Sequence, residues 1–242
     1  MIYSYGTDIG LVRGSNQDSV AVHIFSEDTG LFIVADGMGG HRGGKMASSI
    51  AVDTILQSFV SGFSEDLNSE KIKELLCNSI KEANSRVFKQ SLDNPELDGM
   101  GTTVVAFLVK QNTLYTASVG DSRAYVCKDT RIFQITEDHS LVADLLRRGV
   151  IKSEEAKTHP QKNVITRAVG TESLVAVDIF ETNLDGGSVV VACTDGLHGL
   201  LSDEEIAGVV SVNTEDSAQM LISMANDKGG YDNITVVAVK IS

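Results

Sequence analysis

The chain has 242 residues, of which 42% are hydrophobic and 22% charged, and this is enough material for the core of one large domain. Its formal net charge of −13 argues against nucleic-acid binding, which needs a basic surface. No apolar run approaches the roughly 20 residues of a membrane span, and the first residues lack the pattern of a secretory signal. We therefore expect a cytoplasmic protein without membrane contact.

Apolar periodicity and turn residues predict the elements in chain order. The first part of the chain has predicted strands at 3–9, 19–25 and 31–35, helices at 45–59 and 70–90, and a loop at 93–99. The middle has strands at 102–109, 114–118, 124–127 and 131–135, a helix at 140–148, and a polar, irregular insertion at 151–163. The last part has strands at 175–180 and 189–193, helices from Ser202 to residue 210 and at 215–227, and a strand at 234–241. This order favours an α+β architecture over a doubly wound parallel fold.

The segment LFIVADGMGGH, residues 31–41, is the most informative part of the sequence. A short apolar strand ends in Asp36, and an unpaired carboxylate at such a position usually has a cation as its partner. The glycines that follow let the backbone approach whatever the carboxylate binds. The pattern recurs in VVVACTDGL, residues 189–197, where another apolar strand leads to Asp195 and a glycine. A weaker case is Asp121, which follows Gly120.

A phosphate-binding P-loop is the main alternative for this segment. GGHRGGK, residues 39–45, matches the first seven positions of that motif and lies between a predicted strand and a predicted helix. The eighth position requires a serine or threonine for magnesium, and it is Met46 here. The P-loop also gives Asp36 no role, so we consider this alternative a minor one.

Five aspartates lie beside glycines or turns at predicted strand boundaries: Asp18, Asp36, Asp121, Asp195 and Asp232. Each one alone could simply cap a turn. As a set of oxygen ligands without a nearby cysteine or histidine pair, they suit magnesium or manganese. Two such ions can activate water and polarise a phosphoryl group.

Two further residues could act on a phosphate ester. Arg13 lies five residues before Asp18, and its donor fork suits a phosphate dianion, although an arginine at such a position, taken alone, is more often a solvated loop residue. His41 could donate a proton to a leaving alkoxide or could be structural. His139 is expected to be a structural partner near a helix start, and Asn233 to orient Asp232 or to cap a turn.

Eight motifs in order resemble the bacterial branch of the metal-dependent serine/threonine protein phosphatases of type 2C, the PPM family. They are RGSNQDS, VADGMGGH, GMGTT, VGDSRAY, ITEDHS, ITRAVG, CTDGL and GGYDNIT. The resemblance runs from Gly6 to Val239 and implies one catalytic domain over 1–242, with a flap at about 140–165. It implies a four-layer α-β-β-α sandwich, in which helices flank two packed antiparallel sheets.

The resemblance also implies a centre of two manganese or magnesium ions. Asp36 would bridge them, the Gly37 carbonyl would bind one, and Asp195 and Asp232 would complete the other. Asp18 would contact the second ion, often through water. The family further implies a third, weaker ion between Asp121 and Asp195.

By the same resemblance, a metal-bound hydroxide attacks the phosphorus of phosphoserine or phosphothreonine without a phosphoenzyme, and Arg13 binds the phosphate. The family's animal members carry a histidine as general acid where this chain has Met38, so His41 is the nearest substitute. The expected partners are phosphoproteins and a serine/threonine kinase that the enzyme opposes, and we expect a monomer. The flap is expected to tune peptide choice.

Two other functions stay open from the residues. A catalytically silent binding module would have lost metal-ligand acids, and none is missing here. A P-loop nucleotide hydrolase would bind ATP and lack phosphatase activity.

Overall fold

The computed structural model describes residues 1–241, apart from the side chains of His41, Ser153 and Lys157. The strands are β1 (Ile2–Asp8), β2 (Ser19–Ser26), β3 (Thr29–Ala35), β4 (Gly37–Met38), β5 (Gly101–Thr102), β6 (Val104–Lys110), β7 (Thr113–Val119), β8 (Arg123–Lys128), β9 (Arg131–Gln134), β10 (Asp178–Asn183), β11 (Val189–Cys193) and β12 (Ile234–Lys240). The helices are α1 (Gly40–Gly62), α2 (Ser69–Asp93), α3 (Leu141–Arg147), α4 (Ser153–Thr158), α5 (Asp195–His198), α6 (Asp203–Val212) and α7 (Ser217–Asp227), and a single 3-10 turn spans Pro95–Leu97.

Two five-stranded antiparallel sheets form the centre of the molecule. The order of sheet A is β1-β12-β11-β8-β9, and the order of sheet B is β10-β7-β6-β3-β2. The short strands β4 and β5 pair with each other apart from these sheets. Strands from the two ends of the sequence are neighbours in sheet A, because β1 pairs with β12 along its whole length.

The inner strands β3, β6, β11 and β12 are almost continuously apolar because both of their faces are covered. In β3, Phe32 and Val34 point between the two sheets, whereas Leu31, Ile33 and Ala35 point toward the helices on the other side. Successive side chains of a strand leave it on opposite faces, so a strand between two layers needs apolar residues throughout. β11 and β12 follow the same rule in sheet A.

Helices cover the outer face of each sheet. α1 and α2 pack on sheet B through a core that includes Ile55, Phe59 and Leu76. α6 and α7 pack on sheet A through residues that include Ile206 and Leu221. The layers are therefore helix, sheet, sheet, helix, and the expected α-β-β-α sandwich is confirmed.

Some predicted boundaries are wrong, most clearly at the start of α1. The helix begins at Gly40 rather than Lys45, so the residues that match the start of a P-loop form its first turns and do not wrap as a loop. The insertion predicted as irregular contains the short helix α4, and the predicted loop after α2 contains the 3-10 turn. The strand predicted at 175–180 lies at Asp178–Asn183.

The N-terminus of α6 matches its sequence signature. The Ser202 hydroxyl accepts a hydrogen bond from the Glu205 N–H, and the Glu205 carboxylate accepts one from the Ser202 N–H. This reciprocal capping box satisfies two of the helix's otherwise free donors.

Within residues 1–241, no helix is both long enough and apolar enough to cross a lipid bilayer.

Candidate metal centre

Strand register brings the predicted aspartates together at one end of the strands in the two sheets. In sheet B, Ser19 pairs with Ala35, so Asp18 and Asp36 lie one residue beyond that pair. In sheet A, Cys193 of β11 pairs with Arg123 of β8. Continuing this antiparallel register by two residues places Asp195 opposite Asp121. The carboxylates are therefore neighbours in space although they are far apart in sequence.

A threonine joins the carboxylates of the two sheets. The Thr194 hydroxyl, at the end of β11, donates a hydrogen bond to Asp18 Oδ2 at 2.9 Å. The Thr194 hydroxyl oxygen in turn accepts a hydrogen bond from the N–H of Thr235 in β12 at 3.0 Å. Thr194 is fully buried, so this contact fixes Asp18 of sheet B against sheet A.

Backbone hydrogen bonds hold Asp36 in place. Its N–H donates to the Thr103 hydroxyl at 2.9 Å, and its carbonyl accepts the Thr103 N–H and the Thr102 hydroxyl, both at 2.8 Å. The Thr103 hydroxyl also contacts the Ser122 hydroxyl at 2.7 Å. Because Ser122 follows Asp121, this chain of contacts links the positions of Asp36 and Asp121.

Gly37 allows helix α1 to approach the Asp36 strand closely. A Cβ at Gly37 would lie 2.0 Å from the Gly44 carbonyl oxygen, and a Cβ at Gly44 would lie 2.6 Å from the Gly37 carbonyl oxygen. Only residues without side chains fit both positions. The close packing fixes the Gly37 carbonyl next to Asp36.

Arg13 lies against the carboxylate cluster. Its Nη2 is 2.6 Å from Asp232 Oδ2, and this hydrogen bond raises the pKa of the guanidinium. The N–H of Asn233 holds the other carboxylate oxygen of Asp232 at 2.8 Å. Asn233 thus orients Asp232 as predicted, through its backbone N–H, while its side chain bonds to the backbone of Gln17, Ile9 and Ser15. It thereby tethers the loop that carries Arg13.

The cluster carries buried acid groups that lack a positive partner. Oδ1 of each of Asp18, Asp121 and Asp195 is buried without a hydrogen-bond partner among the described residues. Burial raises the pKa of Asp18 and of Asp121 to about 7, and neighbouring carboxylates add to both shifts. The pKa values of Asp36 and Asp195 are raised for the same reasons. Buried carboxylates in this state need a cation, and their oxygens are the ligands that magnesium and manganese prefer.

The acids do not enclose an ion by themselves. In the described part of the chain, no group of three or more acidic, histidine or cysteine side chains already surrounds a single ion position. Magnesium usually keeps several water ligands and takes one or two carboxylates. The donor set therefore fits hydrated divalent ions that are shared between pairs of carboxylates.

Two supporting residues were missed from the sequence. Thr194 carries no signal apart from its place before the Asp-Gly pair. His198 Nε2 donates to the Asp121 carbonyl at 3.0 Å, and burial lowers the pKa of His198 to about 3, so the ring is neutral at pH 7. Its place three residues after Asp195 is the only feature that could have indicated this role.

His139 has the structural role that was expected. The His139 Nδ1 accepts a hydrogen bond from the Gly120 N–H at 2.9 Å, and the backbone N–H of His139 donates one to the Gly120 carbonyl at 3.0 Å. It thereby clamps the turn that precedes Asp121.

The side chain of His41 lies outside the described residues, so its proton-donor role stays a prediction.

Comparison with known proteins identifies the family. A model of the protein phosphatase 2C family matches residues 12–233. The serine/threonine phosphatase stp of Listeria monocytogenes serotype 4b is 38% identical over 238 residues, which cover 98% of this chain and 94% of that protein. The crystal structure of serine/threonine phosphatase Stp1 from Staphylococcus aureus has a TM-score of 0.93 at 34% identity and covers 100% of this chain and 96% of that one.

A further solved structure contains metal. The catalytic domain of the serine/threonine protein phosphatase PstP, in complex with two manganese ions, has a TM-score of 0.85 at 32% identity, with 99% and 98% of the two chains covered. The chain therefore belongs to the protein phosphatase 2C family. The resemblance and the enzyme class expected from the eight motifs are confirmed, and the P-loop alternative is wrong.

Proposed function

We propose that this protein phosphatase hydrolyses phosphoserine and phosphothreonine in phosphoproteins with two bound manganese or magnesium ions. The observation that carries the proposal is the set of buried, unpartnered carboxylate oxygens on Asp18, Asp121 and Asp195, next to Asp36 at the same end of the strands. When bound, the ions supply positive charge to the phosphoryl oxygens and lower the pKa of a coordinated water.

In this proposal Asp36, directly after β3, would hold both ions, because the charges of the four other aspartates all act on its carboxylate. The Gly37 carbonyl completes one ion's protein ligands. Asp195 and Asp232 hold the other ion, and the Asn233 N–H on Asp232 Oδ1 orients one of these carboxylates.

The remaining two aspartates have weaker roles in the proposal. Asp18 would contact the second ion, often through water, and its Oδ1 is the oxygen available for this because the Thr194 hydroxyl bonds to Oδ2. Asp121 and Asp195 would hold a third, weaker ion together; Asp121 lies just before β8, Asp195 lies just after β11, and the charge of Asp195 acts on Asp121.

Arg13 binds the phosphate in the proposed reaction. Arginine has five N–H donors, and its contact with Asp232 uses one, so others remain for phosphate oxygens. In hydrolysis a water oxygen bonds to phosphorus, the ester P–O bond breaks, and the leaving serine or threonine oxygen takes a proton. We assign that proton to His41.

Neither a cysteine nucleophile nor a catalytically silent binding role has comparable support. Burial raises the thiol pKa of Cys127 and of Cys193 to about 12, so neither supplies a thiolate nucleophile at neutral pH. A catalytically silent binding module would have lost acids that bind metal, and all five aspartates are present in this chain.

Metal-dependent hydrolysis of p-nitrophenyl phosphate and of a phosphothreonine peptide tests the proposal. Asp36→Asn should lower kcat/KM by more than roughly a hundredfold, because loss of outer partners of metal ligands already costs about 10- to 100-fold. Asp93→Asn, at an exposed aspartate at the end of α2, is the matched control and should be fully active. Activity without added metal after chelation, or full activity of Asp36→Asn, would contradict the proposal.

The finer organisation is also a proposal. We infer one catalytic domain over 1–242 with a flap at about 140–165, and the pairing of β1 with β12 supports a single unit. We further propose that the enzyme acts as a cytoplasmic monomer on the products of a serine/threonine kinase.

A further inference from the structure

A cavity of about 630 Å³ lies outside the carboxylate cluster. Its walls are the first turns of helix α1 and the 3-10 turn that follows helix α2. Arg42, Lys45 and Met46 line one side, and Pro95, Glu96 and Leu97 line the other. Arg42 and Lys45 belong to the glycine-rich segment that resembles a P-loop, and the proposed hydrolysis uses neither residue.

The cavity has an excess of positive charge. Arg42 and Glu96 approach to only 3.6 Å, and their side chains are 85% and 82% exposed, so this ion pair is weak. The Lys45 ammonium forms no ion pair with any side chain that the structure describes. A basic wall is unusual on a chain of net charge −13, and it favours an anionic occupant.

Part of the lining is apolar, although Ser49 and Asn94 add polar groups. Met46 is exposed on α1, and Pro95 and Leu97 face it across the cavity. Two cations beside an apolar wall can take up the methylene groups and the charged end of an acidic side chain together.

The cavity is close to the site of hydrolysis. Gly37 and Gly44 are in backbone contact, and Lys45 follows Gly44. From bond lengths and the spacing of about 3.8 Å between consecutive Cα atoms, the Lys45 Cα lies within about 10 Å of the Gly37 Cα. An extended peptide advances about 3.3 Å per residue, so this distance corresponds to about two to four residues.

We propose that this cavity is a subsite for an aspartate or glutamate of the phosphoprotein substrate, about two to four residues from the phosphorylated one. The inference rests on the proposed function, since it requires a phosphopeptide at the carboxylate cluster. Lys45 and Arg42 bind the carboxylate, and the apolar wall contacts its side chain. The enzyme therefore prefers acidic phosphorylation sites.

The experiment uses the full chain with manganese and a series of phosphothreonine peptides. One glutamate is moved through each position on both sides of the phosphothreonine, and a glutamine at the same position is the neutral match. The wild type should show a kcat/KM about three- to tenfold higher for glutamate at the preferred position, the size expected for one or two exposed ion pairs. The preference should arise in KM, because the contact is remote from the reacting bond.

Variants connect the preference to the cavity. Arg42→Ala combined with Lys45→Ala should abolish the preference, and Lys45→Glu should reverse it toward a lysine peptide. Lys81→Ala, at an exposed lysine on α2 outside the cavity, should keep the preference. Turnover of p-nitrophenyl phosphate, which has no flanking residues, should be unchanged in all these variants.

Three results would overturn the subsite: equal rates for every glutamate and glutamine pair, a preference that survives the double substitution, or equal losses on peptide and p-nitrophenyl phosphate. Each of these leaves the phosphatase activity itself measurable. A wild-type protein inactive on all substrates would instead overturn the proposed function together with the subsite.

Discussion

Asp18→Asn should make the metal-free protein more stable at neutral pH. Asp18 is buried, and its Oδ1 has no partner among the described residues. Burial raises its pKa from the ordinary 3.8 to about 7. The folded, metal-free protein therefore binds this proton more tightly than the unfolded chain does. The contribution of this bound proton to the free energy of unfolding is fully present below about pH 4 and is lost as the pH rises through about 7.

The size of the effect follows from the pKa shift. A rise from 3.8 to about 7 corresponds to about 4 kcal/mol of lost stability once the carboxylate is ionised, at about 1.4 kcal/mol per pH unit. The asparagine keeps an acceptor for the Thr194 hydroxyl but leaves a buried amide N–H unpaired, which costs about 1–3 kcal/mol. The net gain for Asp18→Asn without metal is about 1–3 kcal/mol.

Urea unfolding in the presence of EDTA, followed by circular dichroism, measures this difference. At about pH 7.5 the variant should unfold at higher urea than the wild type, and at about pH 4.5 the gap should shrink because the wild-type carboxyl is then protonated. Adding manganese should stabilise the wild type more than the variant. Asp93→Asn is the exposed control. A variant less stable than the wild type in EDTA at neutral pH would refute the account of an uncompensated buried charge.

Gly37→Ala should prevent correct folding or cost more than about 3 kcal/mol, because its Cβ would lie 2.0 Å from the Gly44 carbonyl oxygen; a normal yield with an unchanged melting temperature would be the contrary result. Gly208→Ala in α6 meets no atom within 4 Å, so it should raise stability by about 0.5–1 kcal/mol, and a lower melting temperature would contradict this. His139→Ala leaves the buried Gly120 N–H without its acceptor and should cost about 1–3 kcal/mol in urea unfolding; an unchanged midpoint would show that the clamp contributes nothing.

The sequence predicted best where local pattern and tertiary packing agree. Residues 31–35 and 189–193 were recognisable as strands because both faces are buried, so every residue is apolar. Ser202 and Glu205 marked the start of α6 because capping is a local interaction. The five aspartates were recognisable because each one ends or precedes a strand, although nothing local showed that β11 pairs with β8.

Prediction failed where packing overrides local preference. Helix α1 starts five residues early because Gly43 and Gly44 fit against Met100 and Gly37, although glycine is a poor helix former. Val175 and Val177 were assigned to a strand because they are apolar, yet they pack on the α1 and α2 core without strand pairing. The contacts of Thr194 and His198 depend on three-dimensional neighbours, which periodicity does not encode.

The place of β12 in sheet A has a consequence for synthesis of the chain. This strand lies between β1 and β11, so β1 has no sheet partner until residues 234–240 have been synthesised. Pairing across such a long separation is slow. The contact of Arg13 with Asp232 joins residues that are almost as far apart in sequence, so a chain that has not yet reached Asp232 lacks the partner that positions Arg13.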